Sequence, residues 1–308
     1  MDTSNRGKSK MKRNRYLIAS LLIMVVACDK DTTGPTEIED QVFSIEKSSK
    51  RGLAFNLSDT SDFNALKSGV SWWYNWYYEP SASEGYYAEY EMEFIPMLWG
   101  GNPSQNSMNQ MKGFILEHPE IEYLLVMNEP NLTDQANRTP QQAANDWLIY
   151  EQVQADLAEY DRSIYLVGPA MNWGTMTNYS DPVVWLDAFY DAFWLLASRE
   201  PQIDYLAFHW YDYGLEFQLD RLQKYGKQIW ITELANWNAQ VDSYQKQIQQ
   251  MGDMVAICEE REDVFRYAWF IGRGQYPDNH YTYLFNPEPG QLNELGEFYI
   301  NLPYAETD

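Results

Sequence analysis

The fold class predicted by the sequence is an eight-stranded β/α (TIM) barrel, on three observations. From residue 52 onward, short apolar runs alternate with longer helical patterns, as parallel strands joined by crossover helices require. There are eight such runs, the number that closes a barrel of about 250 residues. No Gly-x-Gly-x-x-Gly follows a strand candidate, which disfavours the competing doubly wound open sheet.

The chain before residue 49 is read as an address. Lys12, Arg13 and Arg15 precede an apolar run from Tyr16 to Ala27, a basic start and short core typical of a secretory signal. That run is short for a bilayer, which needs about 20 residues. Val25-Val26-Ala27-Cys28 resembles a bacterial lipobox, in which the cysteine is lipidated, and Asp29-Lys30-Asp31 resembles the export signal of surface lipoproteins. Residues 1–27 are therefore expected to be a lipoprotein signal peptide, 28–48 a flexible acidic tether, and 49–308 the catalytic domain. The expected location is the outer-membrane surface of a Gram-negative bacterium, with Cys28 as the only membrane attachment.

The strand candidates are 52–56, 70–75, 93–99, 123–129, 164–171, 204–210, 228–233 and 264–270. Several lack strict alternation, as expected of strands covered on both faces. Between the second and third, Tyr77 to Glu91 contains Pro80 and Gly85 and is read as mostly irregular. Residues 140–159 and 241–261 are long and periodic, and Pro140 suits a helix start. Pro182 opens another helix with Asp181 as N-cap. Cys258 falls in a helical pattern with Met254 and Ile257 and reads as a buried small apolar residue, so no disulfide framework is implied. Residues 272–290 are rich in Gly, Pro and Asn. They are expected to form a long loop with a small hairpin around Tyr281–Phe285, before a closing helix at 291–301.

Charge narrows the partners. The net charge is −23, and without residues 1–27 it becomes 16 basic against 44 acidic side chains, or −28. Such a surface argues against nucleic acid, whose phosphates need Lys and Arg, and against polyanionic polysaccharides. A neutral substrate fits best. His118, His209 and His280 lack metal-ligand spacing, so no metal or other cofactor is expected. The Gly-x-Ser-x-Gly elbow of serine hydrolases is missing.

Chemistry in such barrels sits at the C-terminal strand ends. Tyr123-Leu-Leu-Val-Met-Asn-Glu129 ends the fourth strand candidate and Gln228-Ile-Trp-Ile-Thr-Glu233 ends the seventh. By alternation, Leu125, Met127 and Glu129 share one face, as do Ile229, Ile231 and Glu233, so both carboxylates are expected to point with the barrel-lining side chains. Two carboxyl groups flanking a glycosidic bond can cleave it, one protonating the leaving oxygen and one attacking the anomeric carbon. The acid is expected to carry a raised pKa, and the nucleophile to stay ionised. An aromatic rim supports a sugar substrate, because Trp72, Trp73, Trp76, Trp99, Trp173, Trp210, Trp237 and Trp269 fall at strand ends or just after them.

Asn128-Glu129-Pro130 with Glu233 resembles the large clan of retaining glycosidases on this barrel. More narrowly, Lys50-Arg51-Gly52-Leu53-Ala54-Phe55-Asn56, Val70-Ser71-Trp72-Trp73-Tyr74-Asn75-Trp76 and Phe94-Ile-Pro-Met-Leu-Trp-Gly100 resemble glycoside hydrolase family 128. So do His209-Trp210-Tyr211 and Trp230-Ile-Thr-Glu233, and the similarity spans about residues 49–302. The resemblance implies an endo-β-1,3-glucanase with Glu129 as acid/base and Glu233 as nucleophile. It also implies that Asn128 contacts the sugar hydroxyl beside the anomeric carbon. Trp76, Trp99, Trp210 and Trp269 are the first candidates for sugar stacking, with Asn75, Trp173 and Tyr211 as further substrate contacts and His209 as a hydrogen-bond partner of a catalytic carboxylate or of the substrate. The sequence departs from the plainest family pattern at Trp72-Trp73. Two other readings remain: a surface lipoprotein that captures glucan without cutting it, and the same chemistry on another neutral glycan, such as mixed-linkage glucan, xylan or mannan.

Overall fold

The computed structural model describes residues 46–82 and 85–304. The expected signal peptide, Cys28 and most of the 28–48 tether lie outside the described residues. Among the described residues there are nine strands: β1 (Arg51–Ala54), β2 (Trp72–Tyr74), β3 (Glu93–Phe94), β4 (Met97–Leu98), β5 (Tyr123–Val126), β6 (Tyr165–Met171), β7 (Tyr205–Trp210), β8 (Ile229–Leu234) and β9 (Val264–Trp269). All their pairings are parallel, in the order β3-β2-β1-β9-β8-β7-β6-β5-β4. With the helices that alternate between them, among them α1 (Thr60–Leu66), α3 (Gln105–Glu117) and α6 (Leu215–Leu222), they curl into a TIM-like barrel.

The ninth strand comes from Pro96. The single run expected at 93–99 is cut in two because proline has no N–H to give to a ladder. Ile95 N–H still donates to Trp73 O at 3.0 Å, and Pro96 O accepts from Leu125 N–H at 2.9 Å. The segment thus passes from pairing with β2 to pairing with β5, and both ends of the strand order meet on it.

Expected helix starts agree with the structure. Helix α4 (Pro140–Ala158) begins with a capping box between Thr139 and Gln142, and α5 (Pro182–Ala197) is capped by Asp181. Helix α7 (Tyr244–Glu260), capped by Ser243, starts three residues later than the periodicity suggests and buries Cys258. Tyr77 to Glu91 is mostly irregular as expected, with one short helix, α2 (Tyr86–Tyr90), entered through Gly85 at φ 99°. One local expectation fails. The hairpin at 281–285 is absent, and only a single antiparallel bridge joins Phe285 to Leu292 before α8 (Glu294–Ile300).

Alternation divides the apolar side chains into two layers. Ala54, Trp72, Tyr74, Leu125, Ala207 and Trp230 form the cluster inside the barrel. Leu124, Val126, Ile229 and Ile231 belong to the larger cluster shared with the helices, among them Trp147, Trp185 and Phe189. Trp72 and Trp230 meet with ring centroids 5.1 Å apart. Gly52 makes room for Trp72, since a Cβ there would lie 2.2 Å from the indole.

Candidate active site

Glu129 and Glu233 both reach the inner mouth of the barrel, but not by the alternation expected of them. Ile229 and Ile231 face the helices, so simple alternation would send Glu233 outward with them. The pairing register of β8 shifts between Ile231 and Leu234 against β9, and between Phe208 and His209 on the β7 side. Such a bulge puts two successive residues on one side. Thr232 and Glu233 accordingly both meet His209. On the other wall, β5 ends at Val126, and Met127 (φ 62°) and Glu129 (φ 46°) take left-handed backbone. Met127 packs with the outer cluster rather than sharing a face with Leu125. Glu129 N–H donates to Ala170 O at 2.9 Å, which fixes the turn that presents its carboxyl.

One oxygen of Glu129, one of Glu233 and a ring nitrogen of His209 lie within 4.8 Å of one another, and all three side chains are buried. Glu233 is held by neutral donors. Its Oε1 accepts from Tyr74 Oη at 2.9 Å and from Trp76 Nε1 at 2.8 Å, and its Oε2 accepts a short hydrogen bond from Tyr211 Oη. Glu129 Oε1 accepts from Asn172 Nδ2 at 2.7 Å and from His209 Nδ1 at 2.9 Å. No hydrogen bond among the described residues engages Glu129 Oε2. Two carboxylates and an imidazole are also a possible metal donor set. Here, however, N–H and O–H donors already occupy three of the four carboxyl oxygens.

The electrostatics correct one expectation. Burial pushes the Glu129 pKa up, but the hydrogen bond and positive charge of His209, with the Asn172 amide, outweigh it and leave the carboxyl below its usual range. Burial pushes His209 down, and Glu233 and Glu129 more than reverse this, so the imidazole is raised above its usual value. Both shifts favour the charged forms of the pair, and the direction for Glu129 is opposite to the raised value expected of a general acid. Burial, then the negative charge of Glu233, pushes the Tyr74 and Tyr211 hydroxyls well above the ordinary value, so both remain donors.

A cavity of about 450 Å³ opens above the pair, with Trp76, Trp99, Asn128, Tyr211, Trp237 and Phe270 in its walls. The Asn128 Oδ1 is buried without a partner. An adjoining cavity of about 520 Å³ is lined by Trp173, Trp210, Tyr211 and Trp237. Eight sequence-derived candidates thus converge beside Glu129 and Glu233 or in these two cavities: Asn128, Trp76, Trp99, His209, Tyr211, Trp173, Trp210 and the unranked Trp237. Trp269 does not. It is fully buried towards the helices, with its Nε1 donating to Thr282 O at 2.9 Å. Asn75 does not either, because its amide bridges Asn56 Oδ1 and Glu79 O within a loop. Trp72 and Trp73 are core residues.

Residues 52–299 match the family described as the glycosyl hydrolase catalytic core. A family 128 (subgroup II) endo-β-1,3-glucanase from Pseudomonas viridiflava is 52% identical over 84% of this chain and 100% of its own, with a TM-score of 0.79. The chain belongs to glycoside hydrolase family 128. A subgroup II endo-β-1,3-glucanase from Sorangium cellulosum is 32% identical over 83% of this chain and 100% of its own, with a TM-score of 0.71. A subgroup III curdlan-specific exo-β-1,3-glucanase from Blastomyces gilchristii, solved with glucose, is 26% identical over 82% and 98%, with a TM-score of 0.62. No curated protein matches the chain.

Within this family 128 chain, sequence reasoning missed Tyr74 and Asn172 as site residues. Tyr74 follows Trp72 and Ala54 in the inward series, so alternation from the barrel floor could have found it. Asn172 is the first residue past β6, where the strand-end rule applies as it does to Glu129.

Proposed function

We propose that the chain is a retaining endo-β-1,3-glucanase in which Glu233 is the nucleophile and Glu129 the acid/base. The observation that carries this is the closeness of the two carboxyls, with oxygens within 4.8 Å at the base of an aromatic-walled cavity. Retaining glycosidases hold their pair about 5–5.5 Å apart, whereas inverting ones need roughly 6.5–9.5 Å to admit a water. The β-1,3 linkage is supported by the relatives, since those above 30% identity are endo-β-1,3-glucanases.

Glu233 attacks the anomeric carbon while the bond to the leaving oxygen breaks and Glu129 protonates that oxygen. Its unengaged Oε2 is the one available for that proton. Sugar displacing water enlarges the burial effect that already pushes Glu129 up, and His209 supplies the proton across the 2.9 Å hydrogen bond. Glu129 then takes a proton from water, whose oxygen replaces Glu233 at the anomeric carbon and restores the β-configuration. The partnerless Oδ1 of Asn128 suits a sugar hydroxyl beside the reacting carbon. Trp76, Trp99 and Trp237 offer ring faces to a neutral sugar chain. We extend the proposal to location: Cys28 carries a lipid that tethers the domain at the outer-membrane surface, so Cys28→Ala is expected to release it from the membrane fraction.

Proton NMR of products from defined β-1,3-gluco-oligosaccharides tests the mechanism. The β-anomer is expected first, relaxing later by mutarotation. A first-formed α-anomer means inversion, and binding without any new reducing end means a capture protein.

A further inference from the structure

Apart from those two cavities, the loop after β9 and the starts of α7 and α8 enclose another concavity of about 480 Å³. Its walls include Tyr244, Tyr276, Tyr281, Asn286, Asn293 and Glu294, and it shares no lining residue with the catalytic cavity. Helix starts face the C-terminal strand ends in a β/α barrel, so this groove opens on the same side as the active site. Trp237, in the wall of the catalytic cavity, stacks on His280, the chain neighbour of Tyr281, with ring centroids 4.8 Å apart.

Two features mark it as more than loop packing. Tyr281 holds left-handed backbone at φ 59°, an outlier for a bulky aromatic that persists only where its surroundings impose it. Asp278 imposes it from both flanks, accepting from His280 N–H at 3.0 Å and from Tyr283 N–H at 2.7 Å. The strained backbone sets the Tyr281 ring edge-on to Tyr244 at 5.4 Å, and no hydrogen bond among the described residues takes up its hydroxyl. Tyr276 is 39% exposed in the same groove. Tyrosine faces beside amide and carboxylate groups, with no Lys or Arg among the lining residues, match an uncharged polyhydroxylated ligand.

We infer that this groove is an ancillary binding site for a neutral glucan chain, holding the polymer on the enzyme's upper face outside the catalytic cleft. Its ligand class rests on the function proposed above. Depletion assays on insoluble curdlan, alongside kcat/KM on short soluble β-1,3-gluco-oligosaccharides, test it with Tyr281→Ala and Tyr281→Gly. The glycine variant removes the ring while accepting the left-handed backbone, so its melting temperature should match wild type. Retention on curdlan is expected to fall about fivefold for the loss of one stacking ring, with turnover of the short substrates unchanged. Undiminished retention in the well-folded glycine variant, or an equal fall in short-substrate turnover, overturns the ancillary site. If the wild type cuts none of the soluble oligosaccharides, the catalytic proposal fails by itself, because retention reads the groove without requiring turnover.

Discussion

Glu233 receives its hydrogen bonds from Tyr74, Trp76 and Tyr211, all neutral donors, whereas Glu129 is bonded to His209, a group that can itself carry charge. That difference supports the proposed roles, since a nucleophile must stay ionised and an acid must exchange a proton. Glu129→Ala is expected to lower kcat on unactivated glucan by about 10²–10⁴. Activity should return in part with an activated leaving group or with azide, detected as a β-glucosyl azide. Glu233→Gln should bind but not turn over, and wild-type turnover in that variant would refute the assignment. The His209 pair also makes a stability prediction whose sign is fixed. A raised imidazole stabilises the fold fully below its ordinary value of about 6.5, and the contribution is lost as pH rises through the raised folded value. The lowered Glu129 contributes above its ordinary value of about 4.5 and loses this as pH falls through the depressed one. The melting-temperature advantage of wild type over His209→Gln is therefore expected to peak between about pH 4.5 and 6.5 and shrink on both sides. A flat difference across pH 4 to 9 would remove the charge-sharing account.

At the scale of elements, seven of the eight expected strands appear with ends shifted by at most a few residues, and the eighth is split only by Pro96. Apolar runs and helix caps are local signals, so they were legible in the sequence. The bulge that turns Glu233 inward was not, because it comes from unequal register between β8 and its two neighbours rather than from any residue in β8. Trp269 misled for a related reason. A strand-end position does not state which face is inward, and its indole faces the helices. Gly168 offers a direct test of how β6 supports the site. It sits at φ 155° in an irregular stretch of β6, and a Cβ there would lie 2.4 Å from Val126 O, just ahead of the turn bearing Glu129. Gly168→Ala is expected to cost about 1–3 kcal/mol in strain and overpacking, seen as a lower melting temperature. It should also reduce kcat well below that melting temperature, because β5 must move to relieve the clash. An unchanged kcat in a destabilised variant would show that the turn at 127–129 is held independently of β6.

At the scale of the whole molecule, the surface charge and the site obey different rules. The −28 left after residue 27 creates a negative field over the domain, and such a field changes encounter rates only for charged partners. A neutral glucan feels none of it. The Glu129 and Glu233 carboxylates are buried and their hydrogen bonds are internal, so dissolved salt screens them weakly. Raising ionic strength shortens the Debye length from about 10 Å at 0.1 M to roughly 3 Å at 1 M. An enzyme steering an anionic polymer past like charge would speed up markedly over that range. For this chain, kcat/KM on laminarin is expected to change by less than about twofold between 0.1 and 1 M NaCl, measured by reducing-end release at fixed pH. A steep rise with salt would mean that the working substrate carries negative charge, and would reopen the polyanionic glycans that the composition argues against.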